Sequence, residues 1–164
     1  MPTTLPHEGY RIISQHGFAE VREFISSGQK ALFSLQNFSE GDILINFSAA
    51  EIRNSPNYLT VQTGEDQHII LHPTFVQYIN HSCAPNCFFD TTTMQLVALT
   101  KIETDVELSF FYPSTEWDMQ QPFQCNCGNA SCLGEIRGAA HLSPTQVANY
   151  RLTDFILTKR NADQ

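Results

Sequence analysis

Charge is scarce in this chain, and basic charge is scarcest. Only 16% of its 164 residues are Asp, Glu, Lys or Arg, below the roughly 25% of an average globular protein. Nine basic residues stand against 17 acidic ones, for a net charge of −8. Without clustered Lys and Arg the chain lacks the electrostatic footprint of a nucleic-acid binder. The acidic balance suits a basic partner instead, such as a lysine-rich protein tail. Long apolar runs are missing too, and no stretch approaches the ~20 residues of a membrane span. The start, Met1 to Glu8, has neither the basic cluster nor the apolar run of a signal peptide. The expectation is therefore no membrane and an intracellular location, cytoplasmic in a bacterium and nuclear or cytoplasmic in a eukaryote. Repeats, low-complexity tracts and charged tails are also lacking, so no internal domain boundary is visible.

What is present is largely apolar: 41% hydrophobic and 11% aromatic residues, led by 12 Phe. That content excludes wholesale disorder, and the length is enough for one domain to bury a core. The signals are mostly those of short strands. Ala31 to Leu35 is an apolar run closed by turn residues Asn37 to Asp42, after which Ile43, Ile45 and Phe47 alternate. His68 to Leu71 is another run, stopped at His72-Pro73. Cys87-Phe88-Phe89 and Met94 to Leu99 flank Asp90-Thr91-Thr92-Thr93 and read as a hairpin. Val106, Leu108, Phe110 and Tyr112 alternate along a strand ending at Pro113. Helix is expected only at the periphery. Ser143-Pro144-Thr145-Gln146 offers a capping box, followed by Ala148, Leu152, Phe155 and Ile156 at helical spacing. A weaker helical pattern covers Ala19 to Ser26. The fold class is mainly β.

Five cysteines make an odd number, and three lie within eight residues as Cys125-x-Cys127-x4-Cys132. Cys125 and Cys127 are too close to pair comfortably. Metal fits better in a reducing compartment. Three thiolates with Gly128 and two Asn for tight turns wrap one side of a tetrahedral zinc. The segment holds no fourth ligand, so Cys83, Cys87 or a His must supply it. Asn80-His81-Ser82-Cys83-Ala84-Pro85-Asn86-Cys87 is the second concentration of polar groups. A Cys-His nucleophile pair there lacks an orienting acid, and a separation of two residues does not build a triad. A turn capped by Asn is the plainer account. His68 and His72 have an uninformative spacing, and exposed or hydrogen-bonded side chains explain them better than metal binding.

Together these segments resemble the SET-domain protein lysine methyltransferases. Asn80 to Asn86 is similar to the family's Asn-His-Ser-Cys-x-Pro-Asn motif. Glu107-Leu108-Ser109-Phe110-Phe111-Tyr112 is similar to its Glu-Leu-Thr-Phe-Asp-Tyr motif. Cys125, Cys127 and Cys132, followed by Leu133-Gly134, resemble its post-SET zinc segment. Three motifs in order and spacing are far more specific than any one of them. The resemblance implies a SET-domain fold of several small sheets with a knot-like crossing, a zinc-bound post-SET segment and a C-terminal helix. It divides the chain into an N-terminal extension (1–26), a SET domain (27–113), a post-SET segment (114–138) and a helical C-terminus (139–164).

By this resemblance Asn80 and His81 hold S-adenosylmethionine, with Lys30, Ala31, Tyr112 and Leu133 as further cofactor contacts. Tyr112 is the catalytic tyrosine, and Phe110 and Tyr112 line the substrate channel. Cys83 joins Cys125, Cys127 and Cys132 around a structural zinc, and Cys87 is left as a small buried residue. The implied reaction moves a methyl group from S-adenosylmethionine to a lysine of a protein, a histone or another basic protein. A non-catalytic SET-like module that binds cofactor or peptide is the alternative, and a zinc-dependent interaction module is a third reading. Departures from the family pattern are Gln29 and Ala31 where two glycines usually stand, Phe47 for a Tyr, Phe111 for an acidic residue, and Pro113 after Tyr112.

Overall fold

The computed structural model describes residues 9–164; Met1 to Glu8, on which the reading of the chain's start rests, lies outside them. In chain order the strands are β1 (Tyr10–His16), β2 (Ala19–Phe24), β3 (Lys30–Ser34), β4 (Ile43–Asn46), β5 (Ser48–Arg53), β6 (Thr60–Gly64) and β7 (Gln67–His72). They continue as β8 (Asn80–His81), β9 (Cys87–Asp90), β10 (Gln95–Ala98), β11 (Ser109–Phe110), β12 (Phe123–Gln124) and β13 (Glu135–Ile136). Two helices, α1 (Pro144–Ala148) and α2 (Asp154–Ala162), close the chain. The strands form three three-stranded sheets, β1-β2-β3, β4-β10-β9 and β5-β7-β6, and two small pairs, β8/β11 and β12/β13. The architecture is thus mainly β in several small sheets. Among the described residues no helix is long and apolar enough to cross a membrane.

Local chemistry explains the hairpins. β1 and β2 are joined across Gly17, whose φ of 67° supplies the left-handed turn residue. Between β9 and β10 the Asp90 carboxylate accepts the N–H groups of Thr92 (3.0 Å) and Thr93 (3.2 Å), folding the expected turn around its first residue. The main core lies between the sheets, with Leu32, Ile69, Ile79, Phe89, Leu96 and Leu108 almost wholly buried. A second core gathers Phe111, Ala139, Leu152 and Ile156 under the C-terminal helices.

Four expectations require correction. The stretch Ala19 to Ser26 is strand β2 and turn, not helix. Glu20 and Arg22 are internal: the Arg22 guanidinium bonds Glu20 (2.8 Å) and Asp105, and covers the rings of Tyr10 and Phe33. Pairing on both edges overrides the local helical pattern. The strand over Val106 to Tyr112 shrinks to Ser109–Phe110, since Val106 is exposed and Tyr112 opens a single 3-10 turn. On β4 the buried side chain is Leu44, while Ile43 is 51% exposed, and a bulge at Leu44 in β4 itself shifts the register against β10. The C-terminal helix is two helices. The Ser143–Gln146 capping box starts α1, and Thr153 caps α2, accepting the Ile156 N–H.

Candidate functional site

The site begins where two short strands meet in parallel. Asn80 stands opposite Ser109, and His81 opposite Phe110. A two-residue pair is weak by itself, and side chains brace it. Asn86 clamps the far strand twice, donating to the Glu107 carbonyl (2.8 Å) and accepting the Ser109 N–H (2.8 Å). Asn80 donates to the Lys30 carbonyl (2.9 Å), which ties the pair to β3.

His81 links the two halves. Its Nδ1 accepts the Tyr112 N–H at 3.1 Å, and its Nε2 lies 3.4 Å from the Cys83 sulfur. With Nδ1 accepting, the hydrogen-bond network assigns the proton to Nε2. The ring is buried among Phe111, Tyr112 and Phe123. Burial drives its pKa down to about 3, so the imidazole stays neutral. Tyr112 is pushed above the usual tyrosine range, first by burial and then by the charges of Glu107 and Glu116, so its phenol stays protonated. The Phe110 ring packs at 4.7 Å from Tyr112 and at 4.8 Å from Phe89.

A cleft of about 760 Å³ opens over these groups, walled by Gly28 to Lys30, Gln77 to Asn80, Phe110, Tyr112, Glu116 and Met119 to Gln124, with Asn57 to Val61 on another side. That volume is ample for a nucleoside-sized ligand beside an alkyl chain. Lys30 and Asn80 belong to the wall, whereas His81 lies behind it. Ala31 does not reach the cleft; it is fully buried with Phe24 and Phe33. Leu133 is not on this wall either and packs beside the cysteines. Of Gly28, Gln29, Lys30 and Ala31, only Gly28 has a positive φ, 71°. The positions of Gln29 and Ala31 therefore place no left-handed demand on the backbone.

The four cysteines Cys83, Cys125, Cys127 and Cys132 converge, with all sulfurs within 4.8 Å of one another. Cys83 and Cys125 are separated by 3.8 Å, far too long for a disulfide. It matches the roughly 3.8 Å edge of a tetrahedron built on ~2.3 Å zinc–sulfur bonds. The donor set and spacing therefore fit a closed tetrahedral metal site. The segment turns at Gly128 (φ 73°), and the Leu133 N–H points at the Cys83 sulfur (3.4 Å). Cys87, by contrast, is buried in the main core, and burial pushes its thiol up to about 12. His72 is exposed, and His68 is buried with no hydrogen-bond partner at Nδ1; neither joins the cysteine cluster.

Several contributors escaped the sequence reading. Asn86 has no role that the motif alone assigns, yet it holds the β11 segment through the Glu107 carbonyl and the Ser109 N–H. Tyr150 donates its hydroxyl to the Cys83 carbonyl at 2.8 Å and stacks on Phe111, reaching the site from the C-terminal region. Among the described residues, Glu116 is the only acidic side chain on the cleft wall. Its Oε1 accepts the Gln62 N–H (3.0 Å) and faces the Thr115 hydroxyl (3.3 Å). Burial, partly offset by these bonds, raises its carboxyl to about 7. Glu107 is raised to about 7 by burial as well, against a hydrogen bond from Asn80. No spacing rule marks Glu116, because Gln62 lies 54 residues away.

Comparison with known proteins adds a family. The family model for the SET domain matches residues 22–113. The Aspergillus flavus protein named Methyltransferase flvH is 38% identical over 125 residues, covering 75% of this chain and 70% of that protein. The H3 lysine-4 specific histone-lysine N-methyltransferase of Aspergillus oryzae is 28% identical over 126 residues, covering 63% of this chain. The H3 lysine-36 specific enzyme of Saccharomyces cerevisiae is 25% identical over 154 residues, covering 87%. The matched regions span only 10% and 20% of those two histone-directed proteins.

Proposed function

We propose that this chain, which belongs to the SET-domain family, is a methyltransferase that uses S-adenosylmethionine to methylate a lysine amine of a protein. The observation that carries the reading is the joining of the Asn80-His81 and Phe110-Tyr112 segments beneath one cleft. Histone-lysine methyltransferases among the relatives, and the net charge of −8, support a histone tail or another basic protein as substrate.

S-adenosylmethionine, when bound, supplies a methyl group on a cationic sulfonium. Asn80 and Lys30 on the cleft wall, with His81 supporting them from behind, are the residues that would hold it. Tyr112 keeps its hydroxyl protonated in the cleft and orients polar contacts around the reacting centre. Phe110 sets no hydroxyl beside that of Tyr112, so the channel keeps room for a methylated amine. The chief effect is positioning: two reactants held end to end lose their translational entropy before reaction. A low-dielectric cleft also disfavours the ammonium form, moving the lysine towards its reactive neutral amine. Cys83, Cys125, Cys127 and Cys132 would hold zinc in a closed, four-thiolate site. Such a site orders the 125–134 segment and leaves no position for substrate.

The test is transfer of labelled methyl from S-adenosylmethionine to core histones and to a cell lysate, with Tyr112→Phe alongside. Label on lysine that falls at least tenfold in the variant is expected. An unchanged rate in Tyr112→Phe overturns the role of Tyr112. Cofactor binding without any transfer overturns the enzyme reading in favour of a cofactor- or peptide-binding module.

A further inference from the structure

Among the described residues the cleft wall carries two charged side chains, Lys30 and Glu116. Lys30 is already occupied: its ammonium lies over the Tyr78 ring at 5.7 Å and 3.9 Å from Glu23. Glu116 is placed differently. Both of its protein contacts fall on Oε1, and among the described residues no cation pairs with it. Among the described residues no donor reaches Oε2. The carboxylate is also held in place, because Gln62 bonds both it and the backbone of the next residue. The Gln62 N–H bonds Glu116, and its side-chain oxygen accepts the Trp117 N–H at 2.9 Å. From behind, the Ala139 N–H bonds the Glu116 carbonyl at 2.8 Å.

A fixed, half-desolvated carboxylate with one free oxygen is a costly feature unless a cation answers it. Its surroundings describe that cation. The Glu116 N–H bonds the Tyr112 carbonyl at 3.1 Å, so the acid sits one turn beyond the tyrosine. Tyr112 packs against Phe110 (4.7 Å) and Phe123 (5.8 Å) on the same cleft wall. Aromatic faces accept an alkyl stem and tolerate a cation, and a single carboxylate fixes its charged end. Asn80, by contrast, is bonded to Lys30, and neither touches Glu116 through a hydrogen bond. The acid therefore joins the cleft through Tyr112 and its aromatic neighbours Phe110 and Phe123.

We infer that Glu116 is the anionic recognition group for the substrate's alkylammonium as it enters, before the amine gives up its proton for transfer, a role that rests on this cleft being the methyltransferase's substrate site. Charge-assisted hydrogen bonds of this kind contribute enough to change binding by about tenfold or more. The carboxyl's upward shift, caused by burial, has the direction expected of an acid still waiting for its cation.

The test uses the full chain and two probes, Nα-acetyl-lysine methylamide and the neutral norleucine counterpart, titrated by NMR into the parent and into Glu116→Gln. The amide keeps an oxygen for the Gln62 N–H, so the fold is retained; Glu116→Asp serves as the charge-preserving companion. The parent is expected to prefer the lysine probe by about tenfold or more. Glu116→Gln is expected to lose that preference while binding S-adenosylmethionine as the parent does, and Glu116→Asp to retain part of it. An equal preference in Glu116→Gln overturns the inference, as does a parent that does not distinguish the probes. Weakened cofactor binding with intact lysine preference also overturns it, and assigns Glu116 to the cofactor. Lysine preference without methyl transfer to any protein sinks the methyltransferase reading alone, because probe binding needs no transfer.

Discussion

Replacing Phe111 with alanine should unfold a specific seam of this protein. Phe110 and Tyr112 belong to the cleft wall, while Phe111 between them turns into the second core. There it is 2% exposed, stacked on Tyr150 at 3.7 Å with planes 9° apart, in a cluster with Ala139, Leu152 and Ile156. Truncating a buried Phe to Ala costs about 3–5 kcal/mol in transfer and cavity terms. The lost ring stack adds about 0.5–1.5 kcal/mol, which places the expected loss near the upper end, at about 4–5 kcal/mol. Against a total stability of about 5–15 kcal/mol, that is about a quarter or more. Urea denaturation is the assay, with an unchanged slope required for the comparison to stand. Tyr150→Phe is the control. It keeps the stacked ring but removes the hydroxyl bond to the Cys83 carbonyl, and should cost only about 0.5–1.5 kcal/mol. A Phe111→Ala loss under about 1 kcal/mol would refute the claim that this ring docks the C-terminal segment. A Tyr150→Phe loss as large as that of Phe111→Ala would refute the division between stack and hydroxyl.

Other perturbations are equally direct. Chelation of the proposed zinc, or Cys127→Ser, should raise amide exchange at Cys125 and Leu133 by at least tenfold, and unchanged exchange after metal loss would sink the structural role. Gly138→Ala should destabilise the protein by about 2 kcal/mol or more, because its φ is 116° and an added Cβ would lie 2.5 Å from the Trp117 carbonyl oxygen; a melting temperature matching the parent's would contradict this. Glu116 binds its proton more tightly folded (about 7) than unfolded (4.5), so its contribution to stability falls as pH rises between those values. Glu116→Gln should therefore gain about 1–3 kcal/mol relative to the parent on going from pH 5 to pH 8, and a variant-to-parent difference that is flat with pH would remove the burial argument.

The parts of the fold that were legible in the sequence are those decided by neighbours in the chain. The Asp90 turn, the capping box at Ser143 and the end of β7 before Pro73 each rest on contacts within a few residues. Strand β2 was misread because its decisive partner is remote. Arg22 and Glu20 pattern as exposed helical residues until the exposed Asp105, 83 positions from Arg22, completes an ion network around the buried guanidinium. The same reason hid Glu116 and Tyr150, whose partners lie 54 and 67 residues away. Motif resemblance reached further than periodicity at Asn80, His81, Phe110 and Tyr112, which share a crossing although some 30 residues separate its two halves. It gave no warning that Ala31 packs inward with Phe24 and Phe33 while Lys30 keeps to the cleft wall.

Cys83 is where these long-range ties meet. Its sulfur receives the Leu133 N–H and lies beside the His81 Nε2, and its carbonyl receives the Tyr150 hydroxyl. His81 in turn holds the Tyr112 N–H. One short chain of contacts therefore runs from the C-terminal segment, through the cysteine cluster, to the tyrosine of the cleft. Neither the two-residue pair β8/β11 nor the irregular 125–134 segment has enough backbone bonding to fix side chains tightly by itself. A metal on four thiolates would immobilise Cys83, and through His81 it would also restrict Tyr112. The proposed zinc thus takes no part in the chemistry, yet its removal should loosen the cleft as well as the loop that carries three of its ligands.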